Sequence, residues 1–150
     1  MTGPAVVAFL RHVGCPFAEA TMKEMSKLAE ERADITWIAV SHAPLEATDR
    51  WCAAVGASHL VRLVIDEERS AYGAWGLGRS TLGHFAGRRS LAAVIKLARQ
   101  GIRNRHPAGS RWQRAGTFAV DTAGNVAWQH IPRYAGELPD LRAAADAAVS

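Results

Sequence analysis

The chain opens on an uninterrupted apolar run, Ala5-Val6-Val7-Ala8-Phe9-Leu10, short enough and rich enough in valine to predict a buried strand over residues 6–11. Gly14-Cys15-Pro16 breaks that strand. From residue 17 to about 32 the pattern changes to helical spacing, with Met22, Met25, Leu28 and Ala29 on one face. Proline suits the first turn of such a helix, where its missing N–H would have had no partner. Cys15 therefore falls at a strand-to-helix junction. Residues 35–40 (Ile-Thr-Trp-Ile-Ala-Val) predict a second strand, residues 45–55 a second helix, and residues 60–65 a third strand closed by Asp66-Glu67-Glu68. Strands alternating with helices imply right-handed crossovers and a parallel core sheet.

The second half is patterned differently. Residues 70–77 suggest a short helix and residues 90–100 a longer one, with apolar Leu91, Val94, Ile95 and Ala98. Residues 101–115 read as loop, broken by Asn104, Pro107 and Gly109. Residues 117–120 and 126–130 flank the polar turn Asp121-Thr122-Ala123-Gly124-Asn125 and predict a β-hairpin, and a helix over residues 138–149 closes the chain.

At 150 residues, 49% hydrophobic and 21% charged, the chain predicts one domain over residues 1–150 with a single core. No apolar run approaches the roughly 20 residues of a membrane span, and the short N-terminal run lacks the basic flank of a signal peptide. A cytoplasmic location is expected. The two cysteines, Cys15 and Cys52, are too few for a disulfide framework. The net charge of +4 hides an asymmetry: residues 69–120 hold ten Lys or Arg and no Asp or Glu, leaving eight basic against 14 acidic residues elsewhere. Such a block displays charge toward solvent and can attract anionic substrates, lipid headgroups or nucleic acid. It carries no interleaved aromatic pattern, so no nucleic-acid partner is expected.

The chemistry concentrates at Cys15. A thiol at the start of a helix faces unpaired backbone N–H groups and the positive end of the helix dipole, which favour the nucleophilic thiolate. A role as a small buried hydrophobe is the alternative at this position. Cys52 lies inside the second predicted helix and reads as a packing residue. The six histidines, His12, His42, His59, His84, His106 and His130, show no ligand spacing, so neither a metal nor a bound cofactor is expected. Trp75 and Trp112 flank the basic segment and could line a pocket for a flat ligand.

The segment Phe9-Leu10-Arg11-His12-Val13-Gly14-Cys15-Pro16-Phe17, the basic helical stretch ahead of Gly116-Thr117-Phe118-Ala119-Val120-Asp121, and the tail Arg133-Tyr134-Ala135-Gly136-Glu137-Leu138-Pro139-Asp140 together resemble the peroxiredoxin-like branch of the alkyl hydroperoxide reductase/thiol-specific antioxidant (AhpC/TSA) superfamily. The resemblance implies a thioredoxin-like α/β fold: a mixed central sheet flanked by helices, with a basic helical insertion (residues 79–114) before the C-terminal hairpin. It implies that Cys15 is the redox cysteine, with Arg133 as preferred thiolate partner, His12 as a second neighbour, and Pro16, Phe17, Trp112, Gly116, Thr117 and His130 as substrate-binding candidates.

Departures from the family pattern shape the functional expectation. Ala18 stands where a dithiol oxidoreductase has its second cysteine, His12 and Ala8 stand where peroxiredoxins have threonine or serine and proline, and Gly116 stands where a cis-proline is usual. Two functions follow. One is a thiol-dependent oxidoreductase or peroxidase acting through Cys15 on a small peroxide or disulfide, resolved by an external thiol such as glutathione or thioredoxin. The other is a redox-inactive protein of the same fold that binds a small molecule or serves as a non-redox enzyme in a biosynthetic pathway. A homodimer is compatible with either.

Overall fold

In the computed structural model, which describes residues 3–80, 87–102 and 104–150, strand β1 (Ala5–Phe9) is buried at every position. A strand apolar on both faces belongs in the middle of a sheet covered on both sides, and β1 occupies that place in a five-stranded sheet of order β3-β2-β1-β4-β5. It pairs in parallel with β2 (Thr36–Ser41) and antiparallel with β4 (Gly116–Val120). On the far side of β2 lies β3 (Val61–Ile65), also parallel, and β5 (Val126–His130) closes the opposite edge as the hairpin partner of β4. The mixed sheet and its flanking helices have the thioredoxin-like form that the resemblance implied.

Two cores sandwich the sheet. On one face Val6, Ala8 and Leu10 meet Met22, Met25 and Leu28 of α1 (Pro16–Glu31) and Leu141, Ala144 and Ala148 of the C-terminal helix. The other face gathers Val7, Phe9, Phe118, Tyr72 and Leu77. Helices α2 (Leu45–Val55) and α3 (Ser70–Ala74) follow β2 and β3. The Asp66 carboxylate accepts from the N–H groups of Ser70, Ala71 and Tyr72, which starts α3 despite its short length. The basic segment contains α4 (Arg88–Arg99), and α5 (Leu141–Val149) begins three residues later than its apolar pattern suggests. Pro139 and Asp140 explain the delay, since the Asp140 side chain caps the helix by accepting from the Ala143 N–H. Among the described residues no helix is long and apolar enough to cross a membrane. Residues 81–86, His84 among them, and Arg103 of the basic segment lie outside the described residues.

Candidate functional site

Cys15 is the N-cap of α1: its carbonyl accepts from the Glu19 N–H at 3.0 Å and its own N–H donates to the His12 carbonyl at 3.3 Å. Pro16 fills the first helical position. The turn that delivers the cysteine needs Gly14, which has φ +92° and passes so near the chain at residue 106 that a β-carbon would lie 2.5 Å from the His106 carbonyl oxygen. Cys15 itself is only 2% exposed.

The sulfur's residue lies on the wall of a cleft of about 410 Å³, a volume in the range of small-molecule sites. Arg11, His12, Pro16 and Phe17 form the wall on the sheet side. Leu91, Val94 and Ser90 come from α4, and Asn104, Pro107 and Arg111 from the loop that follows it. Among the described residues no acidic side chain lines the cleft.

The charge is therefore positive and partly desolvated. Burial lowers the affinity of the Arg11 guanidinium for its proton, attraction to the Cys15 sulfur opposes that, and repulsion from Arg111 adds to it. Burial also pushes the His12 imidazole down to about 4, against the opposing effect of its bond to the Val13 carbonyl. His12 is accordingly neutral near pH 7. Because a carbonyl only accepts, the 3.0 Å contact between His12 Nδ1 and Val13 O places the proton on Nδ1. Nε2 is left as the ring's acceptor.

The loop bearing Arg111 is held by several bonds to the cysteine turn. Arg105 N–H donates to the Gly14 carbonyl at 2.8 Å and Ala108 N–H to the Val13 carbonyl at 3.1 Å. Glu19, on the first turn of α1 and almost wholly buried, takes Arg105 Nε at 3.2 Å and Lys23 Nζ at 2.9 Å. A second anchor runs through His42. His42 Nε2 lies 2.9 Å from the Ser110 N–H and 3.2 Å from the Ser110 carbonyl, while Nδ1 stands 3.4 Å from the Tyr72 hydroxyl, which donates to the Leu10 carbonyl at 2.6 Å. Gly109 (φ +86°) permits this approach, for a β-carbon there would stand 2.7 Å from His42 Nε2.

The sequence-derived candidates separate into three places. Cys15, His12, Pro16 and Phe17 share the cleft. Gly116, Thr117 and His130 line a second depression with Phe17, of only about 30 Å³, which holds little more than one water. Arg133 is engaged elsewhere: its guanidinium bonds Glu137 at 2.9 and 3.2 Å and its side chain is largely exposed. Trp112 is not among the cleft-lining residues, and Trp75 packs into the second core against Phe9 and Phe118. Gly116 lies in β4 with no cis peptide bond among the described residues. Arg11, Arg111, Glu19 and the His42–Tyr72 pair were not singled out from the sequence. Arg11 had a visible signal, a charge attached directly to an apolar strand and four residues ahead of the cysteine. The other three depend on contacts across 30 residues or more.

A family model described as AhpC/TSA antioxidant enzyme matches residues 21–133. A search of curated protein sequences finds no match. Among solved structures, a peroxiredoxin-like protein from Aquifex aeolicus superposes with TM-score 0.64 at 14% identity, covering 97% of this chain and 70% of that one. The bacterioferritin comigratory protein of Xanthomonas campestris, whose structures concern alkyl peroxide reduction, gives TM-score 0.66 at 18% identity over 99% of this chain and 80% of its own. PrxQ from Xylella fastidiosa gives TM-score 0.66 at 13% identity over 97% and 76%.

Proposed function

This chain belongs to the AhpC/TSA antioxidant enzyme family, and from that premise we propose that it is a thiol-dependent oxidoreductase or peroxidase whose reacting group is Cys15. The carrying observation is the position of Cys15 at the N-cap of α1, on the wall of a cleft it shares with Arg11 and Arg111. The helix N-terminus and the two guanidinium groups give that wall backbone donors and positive charge to meet an anionic sulfur. Small peroxides or disulfides fit the cleft, and the substrate reaches the buried sulfur through it.

With a hydroperoxide, the thiolate attacks the terminal oxygen; the S–O bond forms as the O–O bond breaks. Cys15 becomes a sulfenic acid, and the departing alkoxide takes a proton from water to leave as the alcohol. An external thiol, with glutathione or thioredoxin as candidates, then condenses with the sulfenic acid and releases water. A second thiol equivalent displaces the mixed disulfide and restores Cys15. The arginines stabilise negative charge on sulfur and on the leaving oxygen. His12, neutral and carrying its proton on Nδ1, contributes a hydrogen-bond acceptor and no charge. We assign the cationic neighbour of the thiolate to Arg11, since Arg133 is engaged with Glu137. Pro16 and Phe17 shape the cleft floor, while Gly116, Thr117 and His130 border its small neighbour.

A redox-inactive binding protein is the second reading, and one observation favours it: the family match begins at residue 21, after the Cys15 turn. Peroxide-dependent oxidation of glutathione separates the two. The native protein should consume peroxide and Cys15→Ser should not. Equal, near-zero consumption by both, together with tight small-molecule binding that survives the substitution, would establish the second reading instead.

A further inference from the structure

Helix α4 is the helix least committed to the core: of its twelve residues only Ser90 and Leu97 are buried. Leu91, Val94 and Ile95 are 64%, 38% and 47% exposed. At helical spacing, positions 91, 94, 95 and 98 fall on one face, so Ala98 completes an apolar stripe. The same spacing puts Arg88 and Arg99, then Lys96, along one flank of that stripe, all exposed. Among the described residues no carboxylate pairs with any of the three. None could come from nearby in the chain, since residues 69–120 contain no acid.

A basic amphipathic helix displaying its apolar face has the character of an interfacial helix. We infer that α4 is a docking surface for an anionic lipid bilayer. Leu91, Val94 and Ile95 enter the boundary between headgroups and acyl chains, while the long stems of Arg88, Lys96 and Arg99 let their charges reach the phosphates. Charge complementarity selects this occupant. A second copy docked face to face and antiparallel would set a cationic flank near its own duplicate. Nucleic acid would satisfy the cations but leave the apolar stripe in water. Because Leu91 and Val94 also line the Cys15 cleft, docking turns the cleft's mouth toward the bilayer. That orientation bears on substrate only if the redox reading holds; the docking itself does not require it.

The test is flotation of the full chain with vesicles of pure phosphatidylcholine and of phosphatidylcholine mixed with phosphatidylglycerol. The protein should float only with the mixed vesicles, and raised salt should release it. Lys96→Gln and Arg99→Gln should each weaken binding about fivefold, and Ile95→Ser about tenfold. All three positions are exposed, and thermal melts monitored by circular dichroism check that each variant folds. Flotation with neither vesicle overturns the inference, as does flotation that ignores the α4 substitutions. A dimer that Ile95→Ser dissociates in light scattering, or salt-sensitive binding to duplex DNA, each without vesicle binding, would assign the face to another partner. Cys15→Ser should float like the native protein, so a failed redox reading and a failed docking remain distinguishable.

Discussion

The start of α1 and the middle of α2 each hold a free cysteine, yet they offer sulfur opposite surroundings. Cys15 caps its helix, where backbone N–H groups converge, and lines a cleft with Arg11 and Arg111 and, among the described residues, no acid. Cys52 is inside its helix, half-buried, and both burial and the Asp49 carboxylate push its thiol up. The two thiols thus differ in helix position and in the sign of the neighbouring charge, cationic beside Cys15 and anionic beside Cys52, and Cys15 is the more buried of the two.

Substitutions can break that contrast in order of expected effect. Cys15→Ser removes the nucleophile and should lower peroxide turnover at least about a thousandfold, because the hydroxyl remains protonated near neutral pH. Arg11→Met removes one charge-assisted contact to the thiolate and should cost roughly ten- to a hundredfold in second-order rate with peroxide, read by stopped flow. If Arg133→Met costs more than Arg11→Met, the assignment of the cationic neighbour is reversed.

The acid response sharpens the contrast from the side of the fold. His12 is held neutral with its folded value near 4, below the ordinary value of 6.5. The unfolded chain therefore binds the proton first, so stability is full above about pH 6.5 and is lost as pH falls toward 4. The loss from this group is about 3 kcal/mol at the acid end, and His42, also lowered by burial, acts in the same direction. Urea melts at pH 7 and pH 4.5 should show the decline, with a smaller decline in His12→Asn. Equal midpoints at the two pH values would contradict the buried neutral imidazole. The smallest effect belongs to Cys52→Ser, which should change turnover less than about threefold with glutathione present, since turnover as proposed uses no second protein thiol. A large loss would mean that α2 takes part in resolution.

Local pattern carried much of this architecture into view. The apolar run through β1, the methionine and leucine spacing of α1 and the polar turn between β4 and β5 each specify their element with nearest neighbours alone. Cys15 was visible for the same reason, being adjacent in sequence to the proline that starts its helix. The site's other half was hidden because it is made by folding. Arg111 reaches the cleft only through a loop pinned at Gly14, Val13 and His42. The setting of Arg133 is equally local: it follows the strand end as expected, and Glu137, four residues on, pairs with its guanidinium. That pairing is legible in the spacing once the turn between them is known. Helix α4 shows the converse, for its apolar Leu91, Val94 and Ile95 stay exposed and Leu97 is its one large buried side chain.

The central claim is that Cys15, and not Cys52, carries the redox chemistry. Its most direct test is to expose the native protein to a stoichiometric pulse of hydroperoxide with dimedone present and to locate the adduct by peptide mass spectrometry. Dimedone traps sulfenic acid, so the adduct should appear on the peptide containing Cys15 within the first turnover and be absent from the peptide containing Cys52. An adduct confined to Cys52, or none at either cysteine while peroxide is still consumed, would contradict the account.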